Sequence, residues 1–93
     1  MLPIRQKNSM VFQLHVRPMA AKQLERLPEA DQLRVEGAIK ALIQNPFSAK
    51  KLDGEYAGCY SYRVWPYRII YRVYKKELLI FVIEIGHRQG VYK

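Results

Sequence analysis

The chain is 93 residues long, 49% of them apolar, and carries 16 Lys and Arg against 8 Asp and Glu, a formal net charge of +8. That length fits one small domain, and the apolar share excludes a disordered chain. No window nears the ~18 apolar residues of a membrane span, and a single cysteine, Cys59, excludes an internal disulfide framework and a cysteine-rich metal site. The positive field predicts an anionic partner, nucleic acid foremost. With no apolar leader stretch near the N-terminus, a cytoplasmic protein without a membrane partner is expected.

Residues 1–9 are polar and aperiodic and are expected to form a flexible arm, with residues 10–93 as the folded domain. Phe12, Leu14 and Val16 alternate with Gln13, His15 and Arg17, the pattern of a half-buried strand. Pro18 ends it and suits the first turn of a helix. A short helix is predicted over residues 19–27, with Ala20, Leu24 and Leu27 on one face. A second is predicted over residues 29–44. Glu29 and Asp31 complement its positive N-terminus, and Val35, Ala38, Ile39, Leu42 and Ile43 form its apolar stripe. Asn45-Pro46 stops it, and so short a link between helices predicts a helical hairpin.

Residues 47–59, which include Lys50, Lys51, Gly54 and Gly58, read as a loop. Three strands follow at 60–65, 67–74 and 78–85, with turns at Pro66 and at Lys75-Lys76-Glu77. The third is continuously apolar from Leu78 to Ile83, as suits a central strand, and Gly86 is expected to end it. The predicted fold class is α+β, in the order β-α-α-β-β-β, an antiparallel sheet packed on the helical hairpin.

A two-residue turn at Trp65-Pro66 or Pro66-Tyr67 fixes the parity of the first hairpin. Tyr60, Tyr62, Val64, Tyr67, Ile69, Tyr71 and Val73 then share the face that packs on the helices. Ser61, Arg63, Arg68, Ile70 and Arg72 share the other, with Arg63 and Arg68 as direct or diagonal neighbours. Like charges so placed cost roughly 0.2–1 kcal/mol, a cost that a bound phosphate turns into charge-assisted contacts. The plainer alternative is a solvated face on which Glu84 neutralises one arginine. The C-terminal segment adds His87, Arg88, Tyr92 and Lys93 beside the sheet. Histidine titrates nearest neutrality, arginine binds phosphate, and tyrosine stacks on unpaired bases. No dinucleotide, phosphate-loop or zinc motif is present, so no cofactor or metal is expected. A nuclease with these groups would use the RNA 2′-hydroxyl as an internal nucleophile, assisted by cations and proton-transferring side chains.

Lys51-Leu52-Asp53-Gly54, Tyr60-Ser61-Tyr62-Arg63-Val64, Tyr67-Arg68-Ile69-Ile70-Tyr71, Ile85-Gly86-His87-Arg88 and Val91-Tyr92 together resemble the RelE branch of the RelE/ParE toxin superfamily, over about residues 10–93. The resemblance implies the same β-α-α-β-β-β fold and a toxin of a type II toxin–antitoxin pair. RelE-type members cleave mRNA in the ribosomal A site without a metal, by 2′-hydroxyl attack that leaves a 2′,3′-cyclic phosphate. Arg68 matches the arginine that stabilises the scissile phosphate, Arg88 a second phosphate or leaving-group arginine, and Tyr92 a tyrosine that stacks on or orients the nucleotide. Arg63 and His87 fall on positions that are basic in the family. These five form the expected catalytic set, and Lys50, Lys51, Ser61, Arg72 and Lys93 the expected RNA contacts. Ser61 stands where RelE has a lysine implicated as general base, which leaves His87 or Lys51 for that part. The implied partners are a cognate antitoxin, the ribosome with its mRNA, and operator DNA for the toxin–antitoxin complex alone. The alternatives are a ParE-like inhibitor of DNA gyrase on the same fold and a catalytically weak RNA-binding homologue.

Overall fold

The computed structural model describes residues 12–87. The expected arm, residues 1–9, and the site candidates Arg88, Tyr92 and Lys93 lie outside the described residues. Strand β1 (Gln13–Val16) leads into helices α1 (Pro18–Glu25) and α2 (Glu29–Gln44), and four strands follow: β2 (Lys50–Lys51), β3 (Cys59–Val64), β4 (Tyr67–Tyr74) and β5 (Leu79–His87). The strands form one sheet in the order β1-β5-β4-β3-β2.

The local signals act as chemistry requires. In β1 exposed Gln13 and His15 alternate with half-buried Leu14 and Val16. Pro18 occupies the first turn of α1, where a missing N–H costs nothing. Glu29 and Asp31 sit in the first turn of α2, and Asn45 ends it. Val35, Ile39 and Leu42 bury its stripe against Ile69, Tyr71, Ile80, Val82 and Ile85 of the sheet, with Ala20 of α1 in the same core. Both helices therefore cover one face. On the opposite face Cys59 and Ile70 make a second, smaller cluster with Leu52, Tyr56 and Ile83. That cluster accounts for the apolar run in β5, which has partners on both edges and some cover on both faces.

The fold is the expected one, with three refinements. Residues 50–51, expected as loop, form the two-residue edge strand β2, which pairs antiparallel with β3. A pair of lysines carries no apolar alternation, so backbone hydrogen bonding alone makes this strand. The β1–β5 pair is parallel while the others are antiparallel, which makes the sheet mixed. The two helices carry the chain away from β1, and β5 returns beside it in the same direction. Finally, Gly86 does not end β5: it pairs with Arg68, and His87 pairs with Tyr67. Strand β4 still offers partners there, and the ladder outweighs glycine's entropic cost. Among the described residues no strand lies beside the outer edge of β5 beyond Val82, and the Gln23 side chain of α1 accepts the Ile85 N–H at 2.8 Å.

Candidate nucleic-acid interface

The β3–β4 turn sets the geometry of the site. Val64 pairs with Tyr67 and Arg63 with Arg68, so Trp65-Pro66 is the two-residue connection, joined by a cis peptide bond. The parity follows as expected: Tyr60, Tyr62, Val64, Tyr67 and Val73 pack on the helical core with Ile69 and Tyr71. Arg63 and Arg68 are direct cross-strand partners on the other face, with backbones about 5 Å apart. Gly86 lies across from Arg68, so no side chain is built opposite that guanidinium on β5.

The next rung runs Lys50, Ser61, Ile70, Glu84 across β2 to β5. The edge strand thus sets Lys50 against Ser61, one rung from the arginine pair. Ser48, Ala49, Lys50, Ser61, Tyr62, Arg63 and Arg68 line an open cleft of about 440 Å³. A second depression of about 310 Å³ shares Lys50, Arg63 and Arg68 and extends past Lys51, Leu52 and Asp53. Four cations against one carboxylate line this surface, which suits it to an anion with spaced negative charges. The floor holds Ser61, 4% exposed, whose hydroxyl has no hydrogen-bond partner among the described residues. A buried hydroxyl with its hydrogen bonds unmade costs about 1–3 kcal/mol, and an oxygen-bearing ligand would offset that cost.

The expected site is therefore brought together in part. Arg63, Arg68, Ser61 and Lys50 converge on one face, while Lys51 borders the second depression but pairs with Tyr60, a residue of the helix-packed face. Arg72 stands further along the face, opposite Cys59 and Phe81. Its guanidinium lies against the backbone of Gly58, 3.1 Å from where a Cβ would stand. His87 is set differently from the sequence expectation. Pairing with Tyr67 puts it at the end of the sheet on the helix side, with the two rings edge to face at 6.0 Å between centroids. It does not line either depression. The extra residue in β5 between Glu84 and Val82, a bulge opposite Ile70 and Tyr71, turns Ile83 and Glu84 toward the arginine side. Glu84 accepts a hydrogen bond from Tyr56 at 3.1 Å. Burial and that contact raise the Tyr56 phenol.

Behind the cleft the aromatic core is fixed by hydrogen bonds. Tyr71 is fully buried, stacks on Tyr60 at 5.5 Å, and donates to the Pro46 carbonyl at 2.7 Å. Burial, with smaller contributions from Tyr60 and Tyr62, pushes its pKa well above the ordinary phenol range. Tyr67 donates to Asp31 at 2.6 Å, the largest cause of its raised pKa. Asp31 also holds Arg34 at 3.1 Å, and Arg34 donates to the Trp65 carbonyl. Helix α2 thus clamps the turn that carries the arginine pair. Among the described residues no group of three His, Cys, Asp or Glu could hold a metal ion, and no helix is long and apolar enough to cross a membrane.

Two helices packed on one face of a five-stranded mixed sheet make the fold of one class of small toxins. Residues 14–92 match the family model described as the ParE toxin of type II toxin–antitoxin systems, parDE, and the chain belongs to that family, within the RelE/ParE superfamily. Among solved structures it is similar to a chain of the RelBE2 toxin–antitoxin complex of Mycobacterium tuberculosis, at 28% identity over 83% of this chain and 98% of that one, TM-score 0.75. It is also similar to a chain of the archaeal RelE–RelB complex of Pyrococcus horikoshii, at 26% identity over 87% of this chain and 99% of that one, TM-score 0.72. The isolated RelE toxin of E. coli shares the fold, at 24% identity over 82% of this chain and 83% of that one, TM-score 0.72. No curated protein matches the chain in sequence. The protein is thus a type II toxin of the RelE/ParE superfamily, and its relatives in complex with antitoxins support a cognate antitoxin as its partner.

Proposed function

We propose that this toxin is an endoribonuclease that cuts mRNA on the ribosome, with the scissile phosphate held in the cleft between Arg63, Arg68 and the β2 lysines. The observation that carries the reading is the direct pairing of Arg63 with Arg68 on the solvent face. Two guanidiniums held side by side repel, and an RNA phosphate turns that repulsion into attraction. In the reaction the RNA 2′-oxygen attacks phosphorus and the bond to the 5′-oxygen breaks. The products are a 2′,3′-cyclic phosphate and a 5′-hydroxyl. A proton leaves the 2′-hydroxyl and another reaches the departing oxygen. Arg63 and Arg68 stabilise the charge that builds on the non-bridging oxygens, a kind of contact worth about 10²–10³ in rate per donor. Of the two groups the sequence leaves as base, Lys51 borders the second depression and His87 borders neither, so we assign the proton on the 2′-hydroxyl to Lys51. Arg88 and Tyr92 keep the leaving-group and nucleotide-orienting parts their positions suggest, Lys50 and Ser61 contact phosphate, and Arg72 and Lys93 contact RNA further out. An acidic antitoxin segment covers the cleft, and operator DNA is a partner of that complex alone.

The name of the matching family favours a second reading, inhibition of DNA gyrase by a non-enzymatic toxin. Expression followed by mapping of mRNA ends separates the two. The proposal expects growth arrest with new ends inside codons of translated messages. Intact mRNA together with stabilised gyrase cleavage complexes would establish the second reading instead.

A further inference from the structure

The β3–β4 turn carries a feature that the phosphate grip does not use. Trp65, the single tryptophan of the chain, is 57% exposed at the hairpin tip. An exposed indole there adds little to the core, since the neighbouring Val64 and Tyr67 already pack against it. Its backbone is nonetheless held firmly. Arg34 donates to its carbonyl, Asp31 holds Arg34, and Tyr67 donates to Asp31. Trp65 also stands two residues beyond Arg63, about 7 Å along the strand, at the end where the arginine pair closes the cleft. A fixed, exposed aromatic one short step from a paired phosphate grip matches how single-stranded nucleic acid is bound: cations track the backbone and an aromatic ring takes a base.

We infer that Trp65 is a base-stacking platform, which receives the nucleobase next to the phosphate held by Arg63 and Arg68. The inference rests on the RNA-binding reading above and extends it from charge to base contact. Stacking requires only a π-face, so the platform tolerates any base and favours none strongly. It orders the strand so that the phosphate beside the stacked base enters the cleft.

The test uses the emission of Trp65 in the intact chain. A short uridine oligoribonucleotide with 2′-O-methyl groups serves as the uncleavable probe, and inorganic polyphosphate as the charge control. The oligonucleotide is expected to quench Trp65, and polyphosphate to bind with little quenching. Trp65→Ala is expected to weaken oligonucleotide binding roughly ten-fold or more, in line with the stacking worth of one base, and to leave polyphosphate binding unchanged. Trp65→Phe retains most of the affinity, which separates loss of a ring from loss of fold. Oligonucleotide binding that depends on Arg68 but leaves the emission and the Trp65→Ala affinity unchanged would overturn the platform and leave the phosphate grip standing. Equal loss of both ligands in Trp65→Ala would overturn it too. Failure of the wild-type chain to bind either probe would sink the grip and the platform together.

Discussion

Ser61 shows how one residue can be read against its own stability. Its hydroxyl is buried in the cleft floor without a partner among the described residues. Ser61→Ala removes a desolvated polar group, so the folded chain should hold its stability or gain up to about 1 kcal/mol. RNA binding should fall at the same time. Chemical denaturation and oligonucleotide titration of the same variant check both halves, and a variant that lost stability with unchanged binding would make the hydroxyl structural. Tyr71 makes the opposite case. Its proton is held more tightly in the folded chain than in the unfolded one. Its contribution is therefore fully present below the unfolded phenol value of about 10 and is lost as pH rises above it. Unfolding followed from pH 7 upward should show a flat stability that falls above about pH 10, and Tyr71→Phe should flatten part of that fall.

Among the elements, the hairpin was the most legible. Pro66 between two alternating runs leaves two turn positions, Trp65-Pro66 or Pro66-Tyr67, and the parity common to both sets which seven residues meet the helices. Helix α2 was equally plain, because its stripe, its acidic first turn and Asn45-Pro46 agree. Strand β2 was not legible, since Lys50-Lys51 carries no periodicity and becomes a strand only because β3 offers a free edge. The side of the sheet taken by His87 was hidden for a related reason. It depends on β5 running through Gly86, where a local reading stops the strand. The arginine pair could be read from parity alone, whereas the clamp on the turn joins residues 31 and 34 to 65 and 67, a contact that only the fold creates. The entry to β3 yields a further test. Gly58 has φ +90 and sits against the Arg72 guanidinium. Gly58→Ala should cost about 1–3 kcal/mol from the left-handed backbone and displace Arg72, as a lower midpoint in thermal unfolding would show.

For the whole molecule, a charge of +8 on 93 residues is a long-range field, while the cleft is a local arrangement. Salt separates them. If Lys50, Lys51, Arg63 and Arg68 each neutralise a phosphate, log affinity for single-stranded RNA should fall against log salt with a slope near −3, from about 0.7 per contact. Removing one of these cations should lower the slope by about that increment, while a distant surface lysine such as Lys22 should change it little. The family assignment makes the chain a toxin, the proposed function rests on the cations of its basic face, and Arg68 lies at their centre, with β3 on one side and the bare Gly86 on the other. The most direct measurement is the rate at which purified wild-type and Arg68→Ala proteins cut mRNA on programmed ribosomes. The account predicts cleavage by the wild type and a loss of about 10²-fold or more in the variant, with its fold intact. Cleavage by Arg68→Ala at the wild-type rate, or none by the wild type, would contradict it.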